Sequence, residues 1–191
     1  KGTARIQNLL RSEDVLATLQ ALRQLGIAIE EKEDAIWIQG GEGYYDSPSE
    51  ALDCGNSGTT MRLLLGILAA QEISVELIGD SSLSGRPMKR VTRYLKDQGV
   101  LISGRDGEEA NFAPLVIRGT KNIPFFEESI PIPSAQVKSA LVLMGLQGSG
   151  AIVRGGGRSR DHTERLLRAM GAECISFENG DVEVKSGGLK A

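Results

Sequence analysis

Asp53-Cys54-Gly55-Asn56-Ser57-Gly58-Thr59-Thr60-Met61-Arg62 runs without a break into Leu63-Leu64-Leu65-Gly66-Ile67-Leu68-Ala69-Ala70. Glycines and small hydroxyl residues followed at once by an apolar run describe a loop that caps a buried helix, whose first N–H groups have no partner inside the helix. Those donors, with the positive end of the helix dipole, form a seat for an anion such as a phosphate or a carboxylate. Arg62 falls in the first turn, where the dipole disfavours a cation unless a negative group is close.

A second helix of the same kind is expected at about 134–147, with Val137, Ala140, Leu141, Val142, Leu143, Met144 and Leu146. Both helices are apolar nearly all round, which places them in the interior. Around them the chain repeats itself, and repeats decide the fold before any single element does. A strand over 2–9, a helix over 12–25 opened by Ser12-Glu13-Asp14, and strands over 27–31 and 35–39 form the first unit. The second has a strand over 74–78, a cap region over 81–86, a helix over 87–98 with proline at its start, and strands over 100–103 and 115–118. The third has a strand over 151–154, a cap over 158–161, a helix over 161–170, and strands over 174–177 and 181–185. Each of these outer helices stops at a glycine, at positions 26, 99 and 171, spaced by 73 and 72 residues. The outer helix at 12–25 has no inner helix before it, so by the logic of the repeat one inner helix and its anion loop are missing there. A start at Lys1 instead of methionine fits a processed or truncated piece.

Composition narrows the function classes. The 191 residues carry 22 basic and 25 acidic side chains, a net charge of −3, mixed along the chain. No basic stripe argues for nucleic acid, and small-molecule partners are expected. The two cysteines, Cys54 and Cys174, lack metal spacing and fit a reducing compartment. Neither long apolar run reaches the ~20 residues that span a bilayer, and no signal-peptide pattern opens the chain, so a cytoplasmic location is expected.

Three glycine- and serine-rich segments each precede a helix: 55–60, 132–136 and 155–160. A threefold arrangement would gather their helix N-termini at one end of the domain, a face suited to a polyanion. A fourth segment, Gly79-Asp80-Ser81-Ser82-Leu83-Ser84-Gly85-Arg86-Pro87-Met88, sets Arg86 before a helix-starting proline, and arginine clamps carboxylate or phosphate bidentately. Arg90 and Arg93 read as solvated surface residues, Gln136 and Lys138 as first-turn solvent residues, and Arg160 beside Asp161 as an exposed ion pair. His162, the only histidine, reads as structural in the first turn of an outer helix; Cys54 reads as a small buried thiol. No carboxylate stands out as a catalytic acid or base.

Asn56-Ser57-Gly58-Thr59-Thr60-Met61-Arg62, the 79–88 segment, Ser134-Ala135-Gln136-Val137-Lys138-Ser139 and Ser159-Arg160-Asp161-His162-Thr163-Glu164 resemble, in order, motifs of the 5-enolpyruvylshikimate-3-phosphate synthases. The resemblance implies an α/β (α+β) fold with a threefold pseudo-repeat of β-α-β-α-β-β units. Mixed sheets and outer helices would surround buried parallel helices, in the inside-out α/β barrel of the enolpyruvyl transferases. The 191 residues are expected to be a single domain, the first of two. The implied reaction, in the shikimate pathway of aromatic amino-acid biosynthesis, moves the enolpyruvyl group of phosphoenolpyruvate to the 5-hydroxyl of shikimate 3-phosphate, with no metal or organic cofactor. Carried over position by position, Ser134, Ala135, Gln136, Ser159 and Arg160 are the expected shikimate 3-phosphate contacts. Gly58, Arg86 and Gln136 are the expected phosphoenolpyruvate contacts, and Asn56 and Thr59 support the loop. Ala135 would act through its backbone, and Arg62 is expected to be structural.

The family's N-terminal Gly-Ser-Lys-Ser motif and its second domain, with the acid/base carboxylates, have no counterpart in this sequence. The chain is therefore expected to be a monomer that binds shikimate 3-phosphate weakly and is inactive alone. Glyphosate, an anionic competitor of phosphoenolpyruvate, is a further expected ligand near Gly58. Two other readings are a UDP-N-acetylglucosamine enolpyruvyl transferase, whose loop carries a reactive cysteine absent from 81–86, and a noncatalytic anion- or RNA-binding module, which the acidic balance and few aromatics disfavour.

Overall fold

The computed structural model describes residues 2–41, 43–155 and 159–190. Along them the elements run Gly2–Gln7 (β1), Glu13–Gln24 (α1), Ile29–Lys32 (β2), Ala35–Gly40 (β3), Leu52–Asp53 (β4), Gly58–Ala69 (α2), Ser74–Ile78 (β5), Ser81–Ser84 (α3) and Lys89–Asp97 (α4). Then follow Leu101–Gly104 (β6), Leu115–Arg118 (β7), Phe126–Ser129 (β8), Ala135–Gln147 (α5), Ala151–Arg154 (β9), His162–Ala169 (α6), Cys174–Ser176 (β10) and Val182–Val184 (β11).

The three stop glycines share one conformation. Gly26, Gly99 and Gly171 lie at φ of 84, 86 and 87°, where glycine ends a helix with little strain. After each, the next N–H reaches back to the last helical turn: Ile27 to Leu22, Val100 to Leu95, Ala172 to Leu167. The threefold repeat is thus written in the backbone as well as in the sequence. At the other end of α1, Ser12 makes no side-chain cap bond; Glu13 and Asp14 complement the dipole there instead.

Each repeat builds one sheet. The strand orders are β1-β3-β2, β4-β5-β7-β6 and β10-β11-β9-β8. In the latter two a short strand runs parallel to the first strand of the unit, β4 to β5 and β8 to β9, with the inner helix α2 or α5 as crossover. The strands at 52–53 and 126–129 are not predicted by the sequence pattern. These strands are too short, and Phe126-Glu127-Glu128-Ser129 too charged, to show a period of two, so their pairing alone defines them. The first sheet has three strands, and among the described residues β1 pairs on one side only, with β3.

The two inner helices fill the centre. They run parallel, because contacts join like ends. At their starts Gln136 of α5 donates to Thr59 of α2 at 2.7 Å, and at their far ends Gln71 donates to Gln147 at 2.7 Å. Midway, Gly66 lies against Ala140, where a Cβ would stand 2.3 Å from the Ala140 carbonyl oxygen. Met61, Leu65, Leu68, Ala140, Leu141 and Met144 are wholly buried, each large side chain contributing roughly 1.5–3 kcal/mol by leaving water. Helices thus lie inside and sheets outside, and no strand pairing closes the three sheets into a continuous barrel among the described residues. No helix there is long and apolar enough to cross a membrane.

Candidate functional site: an anion seat at the starts of the inner helices

Parallel pairing fixes where loops converge. β4 and β5 end side by side, as do β8 and β9, so the loops 54–57, 79–88 and 130–134, and the chain that follows Arg154, leave from like ends of the parallel pairs. Open α/β sheets bind ligands at that end.

Ser57 caps α2, accepting from the Thr60 N–H at 3.1 Å. The Thr60 hydroxyl, 3% exposed, donates to Ser57 Oγ at 2.8 Å and shares a 2.7 Å hydrogen bond with Thr18 of α1. The first turn of α2 is held from two sides before any ligand arrives. Ser134 caps α5 in the same way, its Oγ accepting from Val137 N–H at 3.4 Å. Ala135 is the first residue of that helix.

Arg62 and Gln136 tie these starts together. Arg62 Nη1 donates to Gln136 Oε1 at 2.8 Å and to the Gly58 carbonyl at 3.3 Å, and Nη2 donates to the Pro87 carbonyl at 3.2 Å. One guanidinium therefore links α2, α5 and the entry to α4. Burial, and then the charges of Arg86 and Arg90, hold the Arg62 pKa below its usual range. Three like charges crowd together there, which favours an anion beside them.

Arg86 donates to Asn56 Oδ1, and to Ser82 Oγ at 3.3 Å, both neutral partners. Asn56 Nδ2 in turn donates to Asp80 at 2.6 Å. The Leu83 N–H, first, and then Asn56 hold the Asp80 carboxyl below its ordinary value. A Cβ on Gly58 would meet Arg62 Nη1 at 2.7 Å and Arg86 Nη1 at 3.5 Å. Two guanidinium groups thus gather over Gly58, and the missing side chain is what lets Arg62 lie so close to the helix start. Cys54, behind the loop, is fully buried, and burial followed by the Asp53 charge pushes its thiol up to about 12, so it is no nucleophile at neutral pH.

The third helix start joins the other two through α5. Ser139 Oγ and Thr163 Oγ1 share a 2.7 Å hydrogen bond, and Lys138 Nζ lies 2.5 Å from Glu164 Oε1, with the side chains 3% and 1% exposed. Lys138 is thus not the first-turn solvent residue that its place in the sequence suggests. Its counter-charge lies in a different helix, and local pattern carries no trace of it. Removing one partner alone would strand a buried charge at a cost of about 3–5 kcal/mol. Arg160 and His162 are exposed, and Arg160 forms no ion pair with Asp161 among the described residues. Ser159 Oγ is shut off from solvent and has no hydrogen-bond partner there. Gly156, Gly157 and Arg158, part of the third glycine-rich segment and its cap, lie outside the described residues. Gly155, which precedes them, donates its N–H to Asp181 at 2.9 Å.

The arrangement has relatives. A family model described as EPSP synthase (3-phosphoshikimate 1-carboxyvinyltransferase) matches residues 1–188. A 3-phosphoshikimate 1-carboxyvinyltransferase of Geobacter sp. (strain M21) is 48% identical over 188 residues, which cover 97% of this chain and 43% of that relative. One from Streptococcus mutans serotype c is 42% identical over 189 residues, covering 98% of this chain and 44% of the relative. A solved EPSP synthase structure from Acinetobacter baumannii aligns at a TM-score of 0.92 and 39% identity, over 100% of this chain and 43% of that one. The chain spans less than half the length of these relatives.

Proposed function

The chain belongs to the EPSP synthase family, and from that membership we propose that it forms the part of a 3-phosphoshikimate 1-carboxyvinyltransferase that seats the anionic groups of both substrates. The observation that carries this reading is the bridge Thr59–Gln136–Arg62, which joins two helix N-termini and brings the Arg62 and Arg86 guanidinium groups together over Gly58. Helix starts and bidentate arginines suit phosphate and carboxylate alike.

In this proposal phosphoenolpyruvate lies against the Gly58 backbone, clamped by Arg86 and contacted by Gln136. Shikimate 3-phosphate takes Ser134, the Ala135 N–H, Gln136, Ser159 and Arg160, with Ser159 Oγ lacking a partner among the described residues. Asn56 and Thr59 orient the loop. The enolpyruvyl group passes to the 5-hydroxyl of shikimate 3-phosphate and phosphate leaves. Proton transfer is assigned to the second domain of the family's longer chains, which would close over this face. Glyphosate would compete at the Gly58–Arg86 seat, and the reaction would run in the cytoplasm with the chain as a monomer. The test is a titration of this chain with shikimate 3-phosphate, following the amides of Ser134 and Arg160. Shifts at both are expected, and silence at both would remove the site assignment while leaving the fold intact. Product formation by the isolated chain with both substrates would overturn the assignment of proton transfer to the second domain.

A further inference from the structure

We propose that Lys138 and Glu164 are positioning residues: their buried contact sets the register of α6 against α5, and thereby aims Ser159 and Arg160 at the phosphate that Ser134 and Ala135 receive. The inference rests on the shikimate 3-phosphate reading of that site.

Four observations carry it. Among the ion pairs of the described residues, this is the one in which both partners are buried. The two helix starts are held very differently. The start of α5 has its Ser134 cap and the two bonds of Gln136; α6 has eight residues, and its N-cap Asp161 makes no side-chain cap bond. The far end of α6 is tied to β10, where Arg168 donates to the Cys174 carbonyl at 3.3 Å and to Ser176 Oγ at 3.0 Å; its first turn is tied to α5 instead, by two contacts in adjacent residues, Thr163 to Ser139 and Glu164 to Lys138. Lastly, the pair is poorly suited to be mere ballast. Lys138 stands in the first turn of a helix, where the dipole opposes a cation, and among the described residues neither Glu164 oxygen has an aligned hydrogen-bond donor. Apolar residues of similar volume commonly serve stability as well or better. What two charges add is a single preferred spacing between two helix starts. Cys174 also faces this pair: burial, and then the Glu164 charge, raise its thiol, while Arg168 and Lys138 oppose them.

The experiment compares this chain with the double variant Lys138→Met/Glu164→Leu, which leaves no buried charge unpaired, in titrations with shikimate 3-phosphate and with shikimate, which lacks the phosphate. Shikimate 3-phosphate affinity is expected to fall at least about tenfold and shikimate affinity to stay within about twofold, since a misplacement near 1 Å suffices for such a loss. A purely structural role would change both ligands together or neither, so an unchanged ratio overturns the proposal. In the ligand-free double variant the amides of 159–163 are expected to shift and exchange faster, while those of 55–62 stay put; unchanged amides at 159–163 also overturn it. If wild-type chain fails to bind shikimate 3-phosphate, the substrate reading falls, and the ligand-free amides still decide whether the pair sets the start of α6. Should the double variant not fold, Ser139→Ala/Thr163→Val removes the neighbouring tie and is read in the same two ways.

Discussion

Gly66 of α2 and Ala140 of α5 meet with no side chain between them: a Cβ at 66 would lie 2.3 Å from the Ala140 carbonyl oxygen and 2.6 Å from its Cα. The obstacle is backbone, which cannot swing aside as a side-chain end can. Gly66→Ala gains up to about 1 kcal/mol of helix propensity, yet overpacking a filled core costs about 1–3 kcal/mol and more where backbone must move. A net loss of stability is expected, read as a lower urea midpoint. Because the inner helices would splay, the amides around Thr59 and Gln136 should shift as well.

Gly58→Ala tests the close approach of the arginines to the first turn of α2. The added methyl meets Arg62 Nη1 at 2.7 Å and Arg86 Nη1 at 3.5 Å, side-chain atoms and not backbone, so the fold is expected to survive; Arg62 must loosen its bond to Gln136, at a cost of about 1 kcal/mol. The methyl does occupy the volume where an anion would approach. Phosphoenolpyruvate affinity is expected to fall by about tenfold, equivalent to about 1.4 kcal/mol, with shikimate 3-phosphate affected less. Equal affinity for phosphoenolpyruvate in both proteins would move the seat elsewhere.

Much of this architecture is legible in sequence because it rests on local chemistry. Helices apolar on all faces can only be interior, and a glycine at 26, 99 and 171 announces the same positive-φ stop each time. What local pattern does not carry is pairing at a distance. The two-residue strand β4 exists only because β5 lies alongside it. Lys138 becomes a core residue only because Glu164 meets it from another helix. Arg90 reads as a surface arginine and is exposed, yet its charge reaches Arg62 across the helix starts. Arg62 reads as structural, and its three hydrogen bonds do tie elements together, but the same group also supplies positive charge to the seat.

Inorganic phosphate is expected to stabilise the chain against heat more than sodium chloride at the same ionic strength. Salt of any kind screens the repulsion among Arg62, Arg86 and Arg90; a bound phosphate also adds RT ln(1 + [L]/Kd), about 1.4 kcal/mol at ten times Kd. Arg86→Met removes one of the converging guanidinium groups and should shrink the phosphate-specific part of the melting shift, leaving the general salt effect. An undiminished phosphate shift in that variant would show that phosphate binds outside this seat.

Acid is expected to loosen the loop that carries Arg86, through Asp80. The Leu83 N–H and the Asn56 amide favour its carboxylate and hold its pKa below the ordinary 3.8. The unfolded chain therefore binds the proton more readily than the folded one, and stability must fall as protons are added. The contribution is fully present above the ordinary value and is lost as pH drops through the lowered folded one. Asp80→Asn keeps an oxygen for the Leu83 N–H and does not titrate, so its urea midpoint should be lower than wild type near neutrality. The gap should close as pH falls to about 2. Asn56 links Asp80 to Arg86, so the Arg86 side-chain resonances should follow the same titration in wild type and stay constant in the variant. A gap independent of pH would mean that the Asp80 charge contributes nothing and that its hydrogen bonds alone hold the loop.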